Sequence, residues 1–195
     1  MDFIELYLNL QFANCESERY TMKKNNVMRP QDIVILLKIV AFGNRKWLMK
    51  DIANELFISA SEVSESLNRS VYAGLIAADK QQVMKMALLD FLRYGLKYVY
   101  PQKLGTMVRG MTTAHSAAPL NGLIESETVF VLPYAKGEVK GMALDPLIPS
   151  LPEACQLDAT LYELIALTDA LRIGKAREQE LAYNELKKRL GTLIK

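Results

Sequence analysis

The sequence predicts a mainly α-helical protein of the α+β class. In several segments apolar residues recur three, four and seven positions apart, which is the spacing of one face of a helix. Glycine and most of the prolines concentrate instead between residues 101 and 152, where two short segments resemble strands. The chain has 195 residues, of which 50% are hydrophobic, so it is long enough to bury a core.

End signals set the predicted helix boundaries. Pro30 suits a first helical turn, and Gly43 lies where a helix commonly stops. Asp158 or Thr160 can cap a later helix, and the last helix has acidic residues early and basic residues late, as the helix dipole favours. The predicted helices cover residues 30–42, 48–56, 60–73, 84–99, 158–172 and 175–190.

The rest of the chain is predicted to be loop or short strand. The segment "LIAADKQQVMK", residues 75–85, has room for only a cramped strand pair. Within the loop-rich residues 101–152, "TVFVLPY" and "EVKGMAL" flank "AKG" and predict a β-hairpin. The stripe from Leu161 to Leu171 is either intramolecular core or half of a dimer seam.

Composition excludes several classes of protein. The formal net charge is +2, from 24 basic and 22 acidic side chains, so binding to nucleic acid would require a local patch. Cys15 and Cys155 are far apart and have no neighbours at metal-ligand spacing, so neither a disulfide framework nor a metal site is indicated. The longest apolar run, "DIVILLKIVAF", is interrupted by Lys38 and is shorter than the roughly 20 residues that span a bilayer. A cytoplasmic protein is expected.

Residues 1–28 are expected to form a poorly ordered leader. The first 21 of them, which precede Met22, lack the basic start and the small-residue cleavage site of a signal peptide. Met22 and Met28 are therefore alternatives to Met1 as the functional start.

No constellation of residues indicates an enzyme. His115 is the only histidine and has no partnered serine, cysteine or carboxylate motif, so a structural role is expected for it. The glycine-rich residues 105–122 lack the G-x-x-x-x-G-K-[ST] order that cradles phosphates. We expect no cofactor.

The stretch "IANELFISASEVSESLNRSVYAGLI", residues 52–76, predicts two short helices joined by a tight corner. Ala53 provides the small residue that a close helix crossing needs, and the shared apolar core is supplied by Leu56, Ile58, Val63 and Leu67. Ser59 and Glu62 form an S-x-x-E capping box that starts the second helix. The pattern is that of a helix-turn-helix.

A rotation of about 100 degrees per residue divides the second of these helices into two faces. The inward face comprises Val63, Leu67, Ser70 and Val71. The outward face comprises Ser61, Glu62, Glu65, Asn68, Arg69 and Tyr72. Serine, asparagine and arginine donate to base edges or phosphates, and glutamate accepts from cytosine, so the outward face can contact a duplex.

This stretch resembles the winged helix-turn-helix of bacterial transcription regulators, in particular the MarR-like group. The matching residues are Ala53, Leu56, Ser59, Val63-Ser64, Leu67 and Gly74-Leu75-Ile76. Phe57 stands where such families usually have glycine, and a bulky residue tolerates a left-handed backbone poorly, which favours another geometry for the corner. Two glutamates against one arginine on the second helix repel phosphates unless lysines and arginines nearby compensate.

The resemblance implies a sequence-specific DNA-binding transcription regulator that acts as a dimer on a pseudo-palindromic site of double-stranded DNA. Residues 29–85 would form the winged helix-turn-helix domain, and residues 86–195 an accessory or dimerisation region. The expected DNA contacts are Lys50, Ser59, Ser61, Glu62, Ser64, Glu65, Asn68, Arg69, Lys80 and Lys85. The alternative is a protein-interaction adaptor, or antitoxin-like partner of an enzyme, that keeps the helix-turn-helix as a scaffold.

Overall fold

The computed structural model describes residues 26–192. Helix accounts for 56% of it and is accompanied by a small three-stranded sheet, so the prediction of a mainly helical α+β fold is confirmed. Met1, Met22, Cys15 and nearly all of the predicted leader lie outside the described residues. No helix between residues 26 and 192 has the length and apolar character needed to cross a membrane.

The predicted helices are present with small shifts at their ends. They are α1 (Pro30–Phe42), α2 (Met49–Leu56), α3 (Ala60–Tyr72), α4 (Lys85–Asp90), α5 (Leu96–Val99), α7 (Ala159–Ile173) and α8 (Ala176–Thr192). Asp158 is the residue that caps α7, because its Oδ1 accepts a hydrogen bond of 3.0 Å from the Leu161 N–H. A further helix, α6 (Leu151–Leu157), was not predicted and has Pro152 in its first turn.

The helix predicted for residues 84–99 is not uniform. A π-helical turn, Phe91–Gly95, separates α4 from α5. A Cβ atom on Gly95 would lie 3.0 and 3.1 Å from two ring atoms of Phe91, so glycine leaves the space that this ring occupies. The wider turn thus contains Gly95 packed against the Phe91 ring, and the spacing of apolar residues in the sequence does not predict this turn.

The sheet contains β1 (Met107–Thr112), β2 (Phe130–Pro133) and β3 (Val139–Ala143), which close on one another. The predicted hairpin is wrong, because β2 and β3 pair in parallel and both are antiparallel to β1. A Cβ atom on Gly137 would collide with the backbone of Gly110. The segment between β2 and β3 thus crosses close over β1. Strand β1 itself was not predicted, because it lies in the region predicted to be loop.

One apolar core connects the first three helices with the C-terminal helices. Helix α1 is almost completely buried and packs on α2 and α3 as well as on α7. The predicted stripe of α7 is buried in this core; its residues are Leu161, Leu164, Ile165, Thr168 and Leu171. The stripe is therefore intramolecular core and not half of a dimer seam.

Buried charges are paired, and they join distant segments. The Lys38 ammonium lies 2.6 Å from both Glu55 of α2 and Asp158 at the start of α7. Burial alone would raise the pKa of Asp158, but hydrogen bonds from Lys38 and from the Leu161 N–H lower it overall. Asp169 on α7 accepts a bond of 2.7 Å from Thr113, just after β1, and burial raises the pKa of its carboxyl group.

Candidate nucleic-acid interface

Helices α2 and α3 meet at a corner of three residues, Phe57 to Ser59. Phe57 adopts the left-handed conformation with φ 56° and ψ 41°, so the expectation of another geometry is wrong. The Ile58 N–H donates to the Ala53 carbonyl at 3.0 Å and closes the end of α2. The Phe57 side chain is 55% exposed. Because the ring extends toward solvent, it does not collide with the core, and the left-handed backbone costs phenylalanine only local strain.

The predicted capping box at the start of α3 is confirmed. Ser59 Oγ accepts from the Glu62 N–H at 3.1 Å, and Glu62 Oε2 accepts from the Ser59 N–H at 3.0 Å. These hydrogen bonds, first from the Ser59 backbone and then from its hydroxyl group, lower the pKa of Glu62. Ser59 and Glu62, both predicted DNA contacts, therefore have a role in starting the helix.

The polar outward face of α3 is open to solvent. Ser61, Glu65, Asn68 and Tyr72 are exposed and Ser64 is half-buried, whereas Val63, Leu67 and Ser70 are buried beneath them and Val71 is half-buried. Within residues 26–192, no segment of the chain covers these exposed side chains. The face predicted to meet a duplex is accessible at these positions.

Arg69 is the exception, and its predicted outward position is wrong. Its side chain is 3% exposed and makes a bidentate pair with Asp32 of α1, from Nε to Oδ2 at 2.9 Å and from Nη2 to Oδ1 at 2.6 Å. The hydrogen bond with Asp32 raises the pKa of Arg69. A long side chain at the border of the two faces turns inward here because a buried carboxylate offers it two acceptors.

The outward face of α3 is consequently acidic. Helix α3 has one basic residue, Arg69, and the acidic residues Glu62 and Glu65 remain at its surface. Glu65 lies 3.7 Å from Arg69 Nη1, which partly offsets its charge. Contacts to phosphates would therefore have to come from residues that flank α3.

Exposed lysine and arginine side chains lie before and after α3 in the sequence. Lys50 is in the first turn of α2, and Lys46 precedes that helix. Arg29 precedes α1 and joins Asn26, Glu65, Asn68 and Arg69 in lining a cavity of about 260 Å³. Sequence patterns did not identify Asn26 or Arg29, because both precede the first helix and belong to no periodic segment.

The predicted cramped strand pair follows α3. Ile76 bridges Val83, the Ala77 N–H donates to Gln82 at 2.8 Å, and the Met84 N–H donates to Leu75 at 2.9 Å. This β-ribbon, residues 75–84, turns through Lys80, which has a left-handed φ of 60°.

Lys85 does not share the turn of the β-ribbon with Lys80. It is the first residue of α4, and burial lowers the pKa of its ammonium group. It lines a cavity of about 720 Å³ together with Trp47, whose ring stacks on Phe42 at 6.5 Å. Trp47 thus has a packing role against the core.

Three observations on the described part of the chain bear on metal binding and catalysis. Among residues 26–192, no group of three or more His, Cys, Asp or Glu side chains is arranged to hold a metal ion. His115 is buried edge-on against Phe130, and its Nε2 lies 3.2 Å from the Thr128 carbonyl oxygen. Burial raises the pKa of Cys155 far above its usual range, so its thiol is a poor nucleophile.

Comparison of the chain with protein-family models, with curated proteins and with solved structures gives no match in any of the three. The resemblance to MarR-like regulators therefore depends on the sequence of residues 53–76 alone.

Proposed function

We propose that this protein is a cytoplasmic, sequence-specific DNA-binding regulator of the winged helix-turn-helix type. The observation that carries the proposal is the exposed polar face of α3, supported from below by a shared core and followed at once by the β-ribbon at residues 75–84. In such an arrangement α3 enters the major groove, and the β-ribbon lies beside it as the wing.

Readout of bases would come from the exposed side chains of α3. Asn68 has the amide geometry that pairs with adenine, Glu65 can accept from cytosine, and Ser61 can donate or accept. Ser64 is half-buried and lies beside them. Arg69 takes no part in readout, because its guanidinium group is occupied by Asp32.

Phosphate contacts would come from Lys50, Lys80 and Arg29. Each is partly or fully exposed and lies on an element next to α3 in the sequence or in space. Three such contacts are few for one domain, so two copies on a pseudo-palindromic site would give the required affinity.

The direct test is selection of bound duplexes from a randomised library, followed by affinity measurements on the selected duplex. We expect Asn68→Ala to cost about 1–3 kcal/mol of binding free energy and to relax preference at one base position. Lys50→Ala should weaken binding to all duplexes and reduce the salt slope by about one.

Lys136→Ala is the matched control, because Lys136 is an exposed lysine in the connection between β2 and β3. It should bind as the wild type does. Recovery of no duplex, or equal binding by the Asn68 and Lys50 variants and the control, would contradict the proposal.

A protein-interaction adaptor is the second candidate, and the acidic outward face of α3 favours it. Glu62 and Glu65 at the surface, with Arg69 withdrawn, would suit a basic protein partner. Salt distinguishes the two candidates when a bound partner is available. DNA affinity falls as a power of salt concentration because condensed counterions are released, whereas a protein interface with a few charge pairs, here those of Glu62 and Glu65, loses affinity much less steeply.

A further inference from the structure

The helical segment from α4 through the π-turn to α5 leaves one face without a partner in the described part of the chain. Its inner side, Leu88, Leu89, Leu92 and Leu96, is buried in the core. Its outer side exposes Met86 by 58%, Tyr94 by 63% and Tyr98 by 73%. Tyrosine and methionine are enriched at protein interfaces, and this face presents them in a row.

The π-turn contributes to this row. Met86, Asp90, Tyr94 and Tyr98 follow one another at intervals of four residues. In a regular α-helix, with 3.6 residues per turn, such positions drift steadily around the axis. The wider turn at Phe91–Gly95 lies in the middle of the series and counters that drift, so the four side chains share one face, called here the Tyr94 face.

The aromatic rings of the Tyr94 face are held by neighbouring cations. The Arg93 guanidinium lies 3.7 Å from the ring centre of Tyr183 on α8 and 5.3 Å from that of Tyr94. Arg93 also donates to Glu180 at 2.9 Å. The Lys97 ammonium lies 5.0 Å from the ring centre of Tyr98. Side chains held in this way lose less conformational entropy when a partner docks.

The charges of the face identify the partner. Asp90 belongs to the Tyr94 face, and the half-buried Lys97 lies beside Tyr98 of that face. They stand four residues before and three residues after Tyr94. When two such helices meet antiparallel, with the two-fold axis near Tyr94, each Asp90 faces the partner subunit's Lys97 and the aromatic residues meet at the centre. A parallel arrangement would instead place like charges together.

We infer that the Tyr94 face binds a second copy of this chain in an antiparallel, two-fold arrangement. The inference deepens the proposed function, because it names the surface that would join the two copies, and its test involves no DNA. Helix α4 begins directly after the β-ribbon, so a dimer formed here would also join two α3 helices into one assembly. Because dimerisation is measured without DNA, a monomeric protein and a protein that binds no duplex would be distinguishable results.

The test is sedimentation velocity of the full chain across the micromolar range. The wild type should form a dimer, and Asp90→Lys should raise the dimer dissociation constant about tenfold or more, because two pairs of like charges then face each other. Lys97→Asp should have a similar effect. The double variant, Asp90→Lys with Lys97→Asp, restores both attractions and should dimerise nearly as the wild type does.

Tyr94→Glu tests the apolar centre and should also abolish dimerisation. Its control is Leu157→Glu, at an apolar residue of α6 that is 69% exposed and lies on another element. The control should remain a dimer. A monomeric wild type, or dimers that persist in both Asp90→Lys and Tyr94→Glu, would overturn the inference. Lack of rescue by the double variant would overturn the antiparallel arrangement.

Discussion

Arg69 and Lys38 are long basic side chains that are withdrawn from solvent, and each is matched by carboxylates. Arg69 joins α3 to α1 through Asp32. Lys38 joins α1 to α2 and to the start of α7. Charges buried in this way specify geometry more than they add stability, because removal from water costs about as much as the pairing returns. Arg69 thus fixes the position of α3, and with it the direction of the outward face.

Arg69→Met should lower the free energy of unfolding by about 3–5 kcal/mol, because it leaves the Asp32 carboxylate buried without its partner. Urea denaturation followed by circular dichroism measures the change. The double variant Asp32→Asn with Arg69→Met removes both charges, keeps an acceptor for the Arg29 N–H and should recover a large part of the loss. Glu65→Gln is the control, since the Glu65 carboxylate is exposed and its 3.7 Å contact with Arg69 is worth less than about 1 kcal/mol. Equal losses in Glu65→Gln and Arg69→Met would show that Arg69 has no special role.

At the scale of elements, the corner between α2 and α3 combines a good helix start with a strained helix end. The capping box supplies partners to the first free N–H groups of α3. Phe57 ends α2 in a conformation that costs a residue other than glycine about 1–2 kcal/mol. The strain is local, because Phe57 has the left-handed conformation and its neighbours Leu56 and Ile58 do not.

Phe57→Gly should therefore stabilise the protein by up to about 1 kcal/mol, after the greater flexibility of glycine in the unfolded chain is allowed for. Thermal unfolding of the variant and the wild type measures this change in stability. Phe57→Ala is the matched variant, because alanine keeps the strain and removes the ring. If both variants destabilise the protein equally, the ring contributes packing and the strain is unimportant.

At the scale of the whole molecule, the N-terminal and C-terminal helices share one core, and this core supports α3 from below. Helix α1 packs on both groups, and the Ser150 hydroxyl donates to the Leu56 carbonyl at the end of α2 at 2.6 Å. The β-ribbon leads directly into α4. A second copy on the Tyr94 face would therefore be coupled to α3 through the fold itself.

Local patterns predicted the helices other than α6, though not the π-turn between α4 and α5, because apolar spacing and caps such as Asp158 and Ser59 act within a few residues. They also predicted the exposed positions of Ser61, Glu65 and Asn68. They did not predict the pairing of β2 with β3 or the burial of Arg69, since both depend on residues distant in sequence. β1 supplies the antiparallel partner in the first case, and Asp32 supplies the carboxylate in the second.

The measurement that bears most directly on DNA binding through α3 is the change in backbone amide NMR shifts when the selected duplex is added to the full chain. DNA binding predicts changes concentrated at residues 59–68, around Lys50 and in the turn of the β-ribbon near Lys80, with the three-stranded sheet unaffected. Changes confined to the sheet or to α8, or no changes at saturating duplex, would contradict it.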